Sequence, residues 1–122
     1  MGQKFSKMTQ TKEVASESVA NNSTGAYPQI EQFLDHLWLE KGLSDNTLAA
    51  YRNDLYKFAG YLDEHQSSLR QCNELDIEGY LAWRLDLGLK PRSNARSLSA
   101  LKRFFKYLIL TEQRTSNPTA LT

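Results

Sequence analysis

An all-α bundle of four helices behind a disordered N-terminal tail is the fold this 122-residue chain predicts, and three observations carry it. Apolar residues recur at helical spacing from Tyr27 onward, no stretch sustains the alternation of a half-buried strand, and the connections between periodic segments are short. Residues 1–26 lack any such period and are rich in Ser, Thr, Asn, Gln and Lys, a composition that cannot bury enough apolar surface to fold. Within that tail Met1-Gly2, with Ser6 and Lys7, matches the loose N-myristoylation pattern, for which an unmodified tail is the plainer reading. An apolar core of signal-peptide length is missing from it.

Each helix has a start, a stripe and a stop. Pro28 suits a first helical turn, where its missing N–H is no loss, and Ile30, Phe33, Leu34, Leu37 and Trp38 follow on one face until Gly42 ends the helix after Lys41. Ser44 is a good N-cap for a second helix carrying Leu48, Tyr51, Leu55, Phe58, Ala59 and Leu62 to about His65. After polar Gln66 to Gln71, Asn73 and Asp76 resemble a capping box opening a third helix with Ile77, Leu81 and Leu85 up to Gly88, weakened slightly by Gly79. Pro91 and Ser93 introduce a fourth, whose stripe is Leu98, Leu101, Phe105, Leu108 and Ile109, fading through Thr111 to Arg114 before Asn117-Pro118 closes it. Trp38, Trp83, Phe33, Phe58, Phe104 and Phe105 are the expected bulk of the core.

Composition narrows the function classes. With 40% apolar residues, 15 basic against 14 acidic and a single cysteine, the chain suits one soluble globular domain in a reducing, cytoplasmic setting. No run of about 18 uncharged apolar residues occurs, so no transmembrane helix and no membrane partner is expected. Cys72 and the scattered His36 and His65 do not make a zinc set, so neither metal nor cofactor is expected. Cys72 lies just before a helix start, which leaves a lowered thiol pKa open, although no histidine adjoins it in sequence. The acids Glu74, Asp76 and Glu78 gather where a helix dipole favours negative charge, so capping explains them without catalysis. Phosphate-binding glycine loops and the GxSxG and HExxH motifs are missing, and no catalytic residue is assigned.

The charge map says more than the near-neutral sum. Between Leu89 and Arg114 stand Lys90, Arg92, Arg96, Lys102, Arg103, Lys106 and Arg114 against Glu112 alone, while Asn73 to Gly88 holds four acids against Arg84. With Leu98 at zero and about 100° per residue, the apolar stripe of the fourth helix centres near 320°, and Arg96 and Arg103 fall near 160° and 140°, away from the core. Ser99 and Lys106 flank them, and Lys102 snorkels along the stripe's edge. Arg92 and Ser93 precede the first turn, where free N–H groups and the dipole favour a phosphate. A solvated face is the ordinary reading of surface charge; basic residues unmixed with acids create field instead of i,i+4 pairs, which suits a polyanion. Asn46, Thr47, Asn53 and Lys57, with Arg52 at the side, offer a smaller companion surface on the second helix.

The runs IEQFLDHLWLEKGLSDNTLAAYRNDLYKFAGYLDE (30–64) and SNARSLSALKRFFKYLILTEQRTSNP (93–118) resemble the N-terminal core-binding, SAM-like domain of bacterial tyrosine recombinases and phage integrases. The resemblance implies a four-helix core-binding fold over residues 27–118, with 119–122 beginning an interdomain linker. It implies half of a C-shaped clamp on double-stranded DNA, with two helices crossing the major groove, beginning here at Ser44 and Ser93. It carries Thr47 and Arg52 on the first of these and Arg92, Ser93 and Arg96 on the second; Ser99, Lys102 and Arg103 join them from the helical wheel. In that family a C-terminal domain cuts DNA with a tyrosine nucleophile supported by two arginines, a lysine and a His-x-x-Arg motif. Neither His36 nor His65 has Arg three residues on, and the chain ends at Thr122, just past the expected junction, so Tyr51, Tyr56, Tyr61, Tyr80 and Tyr107 are not taken as nucleophiles. The implied partners are duplex DNA and, for the parent protein, a recombinase tetramer with a XerC-like second recombinase. A helical protein-interaction module, using the apolar and acidic surface around Trp83, Leu85 and Leu87, is the main rival, and a small stand-alone enzyme is a remote third.

Overall fold

The computed structural model describes residues 26–122, among which four helices and no strand are found. They are α1 (Pro28–His36, continued by a π-helical turn over Leu37–Lys41), α2 (Asp45–Glu64), α3 (Glu74–Asp86) and α4 (Pro91–Leu110). The tail expected over 1–26, with its acylation pattern, lies outside the described residues apart from Ala26.

The local chemistry read from sequence is what starts and stops these helices. The Ser44 hydroxyl accepts from the Thr47 N–H at 3.2 Å at the head of α2. Asn73 and Asp76 form a reciprocal capping box at the head of α3, each side chain accepting from the other's backbone N–H. Pro91 occupies the first turn of α4, and Gly42, at φ +64°, supplies the left-handed residue that ends the π turn. A Cβ on Gly79 would lie 3.0 Å from the Tyr61 hydroxyl, so the helix-weakening glycine leaves room for an α2 side chain where α2 and α3 meet.

α1, α2 and α4 pack on one another and α3 closes the bundle against α2 and α4. The core holds Ile30, Phe33, Leu34 and Leu37 from α1, Tyr51, Leu55, Phe58, Ala59 and Leu62 from α2, and Leu101, Phe104, Phe105 and Leu108 from α4. Its aromatic rings meet edge to face, Phe33 with Phe104 at 5.5 Å and Phe58 with Tyr80 at 5.0 Å. Tyr27 pins the start of α1 to the end of α2, its hydroxyl donating to Asp63 at 2.5 Å.

Four expectations need correction. Trp38 and Trp83 are 57% and 42% exposed and are not core residues. Each lies about 90° from the centre of its helix's buried stripe, at the margin that a small bundle leaves uncovered. The buried face of α3 is Ile77, Tyr80 and Arg84, with Leu81 partly buried and Leu85 exposed, so its stripe is narrower than the one read from sequence and includes an arginine. Cys72 is buried, and burial pushes its thiol up despite the opposing Arg114 charge, contrary to a lowered pKa.

Arg114 also departs from the charge map. Its guanidinium is buried over the Phe105 ring and donates to the carbonyls of Leu69 (2.9 Å), Cys72 (2.8 Å) and Ser116 (3.1 Å). It therefore ties the segment after α4 to the α2–α3 connection and is not part of the exposed basic face. Beyond it the Asn117 side chain accepts from the Thr119 N–H at 2.8 Å, and Pro118 and Thr119 are buried.

Candidate nucleic-acid interface

The outward face of α4 follows from which residues it buries. Ser97, Ala100, Leu101, Phe104, Phe105 and Leu108 are buried. Their mean direction on the wheel is about 270° rather than 320°, because the sequence reading left out Ser97, Ala100 and Phe104. Opposite this centre, between about 80° and 140°, lie Arg92, Ser99, Arg103 and Lys106. All four are exposed, as is Lys102 nearer the stripe. None of the four basic residues has an ion pair among the described residues. The Arg103 guanidinium sits 5.9 Å from the centre of the Tyr51 ring on α2, a cation–π placement that restrains it without neutralising it. Arg103 and Lys106 also rim an open groove between α1 and α4 walled by Phe33, Leu37 and Tyr107.

Arg96 behaves differently. At about 160° it borders the buried Ala100, and α2 lies beside it. Its Nε donates to Asp54 Oδ2 at 2.9 Å and its Nη2 to Asp54 Oδ1 at 3.0 Å, so it does not point straight away from the core and its charge is paired. Hydrogen bonding to Asp54, and then the charge of that carboxylate, hold the Arg96 guanidinium above its ordinary pKa. The unneutralised row expected from sequence is thus broken at one of its two central members.

The remaining site residues lie on the first half of α2 and at the head of α4. Thr47 is partly buried, its hydroxyl accepting from Ser44 Oγ at 3.1 Å within the α2 cap. Arg52 is exposed but ion-paired with Glu31 of α1, and the same carboxylate accepts from the Tyr56 hydroxyl at 2.6 Å. Ser93 is partly buried in the first turn of α4, whose cap residue Lys90 offers no capping side chain, so the backbone N–H groups there keep their affinity for an anion. The structure thus brings Arg92, Ser99, Lys102 and Arg103 to one side of α4. Thr47 and Arg52 sit on α2, where each is already engaged.

Sequence reasoning missed both acids that hold these arginines. Asp54 lies about 40° from Phe58 on the α2 wheel, and a carboxylate at the margin of an apolar stripe was the one available signal for it. Glu31 carried none, since its partners are 21 and 25 residues away.

Comparison with known proteins gives this geometry its setting. Residues 30–112 match the family model described as the phage integrase, N-terminal SAM-like domain. The chain is 55% identical over 93 residues to tyrosine recombinase XerD of Pseudomonas putida, covering 76% of this chain and 31% of that protein. It is 49% identical over 94 residues to the Yersinia pestis XerD, 77% of this chain and 31% of that one, and 46% identical over 114 residues to that of Proteus mirabilis, 93% and 36%. The chain spans about a third of the length of these curated relatives. With four helices matched over most of its described length, the chain belongs to the phage integrase N-terminal SAM-like domain family, and its relatives are tyrosine recombinases of the XerD type.

Proposed function

We propose that this chain is the DNA-binding half of a XerD-like site-specific recombinase, gripping a duplex half-site in the major groove and unable to cleave it by itself. The observation that carries the reading is the exposed basic face of α4, Arg92, Lys102, Arg103 and Lys106, set opposite its buried stripe and without an ion pair among the described residues. Unpaired cations on a rigid helix release condensed counterions when they meet phosphates, which is where most affinity for duplex arises. In this reading Arg92, Lys102 and Arg103 contact phosphates and set register, while the α4 head with Ser93 and the exposed Ser99 adds uncharged donors. Arg96 reaches base edges, guanine O6 and N7 being the acceptors that suit a guanidinium fork. Thr47 and Arg52 extend the surface along α2; for Arg52 this means leaving Glu31 for phosphate.

The domain in this reading runs from residue 27 to 118, followed by the start of a linker. The parent protein breaks and rejoins DNA as a tetramer with a XerC-like partner, in chromosome dimer resolution or integration of a mobile element. The chain requires no cofactor and works in the cytoplasm. Fluorescence anisotropy on a labelled half-site duplex and on a scrambled one tests it. Arg96→Ala should relax the preference between the two, and Arg103→Ala should weaken both alike. Two variants that bind as the wild type does would remove the face from consideration.

A second reading has its own support. Leu75, Leu85 and Leu87 are exposed on and just after α3, as are Trp83, Glu78 and Asp86, an apolar and acidic surface suited to a protein partner. Complex formation that persists with excess plain duplex present, at low and high salt, would favour that module over the DNA reading.

A further inference from the structure

We propose that Asp54 is a positioning residue, holding the Arg96 guanidinium so that its outer edge is presented ready-made to a base pair. The inference rests on the DNA-binding reading above and names the part of the site that would read sequence.

Asp54 is 2% exposed and both its oxygens are taken by Arg96, whose side chain is 46% exposed. A guanidinium has five N–H groups in one plane. Nε and Nη2 supply two of them to Asp54, and the other three, two on Nη1 and one on Nη2, lie on the far edges. The Nη1–Nη2 edge is a second fork with the spacing that matches guanine O6 and N7. Nothing in folding alone requires the pair. A buried carboxylate loses hydration, and a well-packed apolar residue of similar size commonly serves stability as well or better. What the pair does supply is a fixed direction, since among the described residues Arg96 is held by Asp54 alone, anchored in α2, the other helix proposed to cross the major groove. α2 treats its other arginine contact differently, placing the ring of Tyr51 beneath Arg103, a charge with no ion pair among the described residues. One helix thus sorts two arginines of α4: Arg103 remains a point charge suited to phosphate, and Arg96 becomes an oriented donor pair with little net field.

Asp54→Asn separates orientation from charge, because the two effects have opposite signs. Removing a negative charge strengthens attraction to any duplex. An Asn amide, however, keeps only one acceptor and turns a donor toward the guanidinium, so the fork is no longer held. The 122-residue chain is first used to select its preferred duplex from a pool with randomised central base pairs, and affinity is then measured for that duplex and for a scrambled one. Expected for Asp54→Asn is scrambled-duplex binding equal to or tighter than wild type, with the ratio of selected to scrambled affinity falling about 3- to 10-fold, the entropy of one freed long side chain. Arg96→Ala should lower the ratio at least as far, and the double variant no further than Arg96→Ala alone. The Arg96 Nε–H signal, protected in the 15N spectrum of the wild type, should be lost in Asp54→Asn. Should Asp54→Asn fail to melt cooperatively, Arg96→Lys serves: it keeps the charge and a partner for Asp54, and the same fall in ratio is expected.

An unchanged ratio in a folded Asp54→Asn or Arg96→Lys overturns the inference while leaving duplex binding in place. So does a wild type that binds duplex without preference. A wild type that binds no duplex at any salt concentration overturns the DNA-binding reading and the inference with it.

Discussion

Replacing Arg114 with Ala removes the guanidinium that fastens residues 114–119 onto the α2–α3 connection. Two of its acceptors, the carbonyls of Leu69 and Cys72, are bonded in buried surroundings, and the Ser116 carbonyl is bonded nearer the surface. Hydrogen bonds from a charged donor contribute about 1.5–3 kcal/mol each, so the buried two give about 3–6 kcal/mol before correction. Relief from burying the charge offsets part of this, and water can reach a surface carbonyl, which leaves a destabilisation of about 3 kcal/mol. For a domain of this size that lowers Tm by roughly 12–24 °C. Urea unfolding followed by circular dichroism measures it directly, with an unchanged m-value expected because the core is intact. Arg114→Lys should recover little, since an ammonium cannot serve the carbonyls on both sides of the fork. A loss under about 1 kcal/mol for Arg114→Ala would refute the reasoning, because water would then satisfy the two carbonyls about as well as Arg114 does.

Further outcomes follow from burial and from the titrating groups. Phe33→Ala, emptying a site 1% exposed, should destabilise by about 3–5 kcal/mol, and Trp38→Ala by less than about 1 kcal/mol, in the same urea assay. The hydrogen bond from Tyr27 to Asp63 favours the neutral phenol and pushes its pKa up from 10.0 to about 12. Its contribution to stability is therefore full below pH 10 and lost as pH rises toward 12, so Tyr27→Phe should lose less stability than wild type across that window. The buried Cys72 thiol should react with an aromatic disulfide at pH 8 far more slowly in the folded chain than in urea.

Much of the fold was legible because helix ends are written in local chemistry. The Ser44 cap, the Asn73–Asp76 box, the Gly42 stop and the Pro91 start each depend on residues no more than a few positions apart. Trp38 and Trp83 were misplaced because size and apolarity say that a ring tends to be buried, but only the packing of neighbouring helices says which margin of a stripe is covered. The site was legible by halves. Arg103 and Lys106 follow from the wheel of their own helix, whereas the state of Arg96 depends on Asp54, 42 residues earlier on another helix. Arg114 was counted as surface charge for the same reason: its partners Leu69 and Cys72 offer backbone carbonyls, which leave no trace in sequence. Charge counted along a chain therefore overstated the exposed basic face, since two of its seven cations are held in place, one by a carboxylate and one by main chain.

The role given to the α4 face is tested most directly by the salt dependence of duplex binding. Anisotropy titrations of the 122-residue chain between about 50 and 200 mM salt should give a log–log slope near −3 if three of Arg92, Lys102, Arg103 and Lys106 neutralise phosphates, and Arg103→Ala should make that slope shallower by about 0.9. A slope near zero, or one that Arg103→Ala leaves as it was, contradicts a phosphate-gripping surface on this helix.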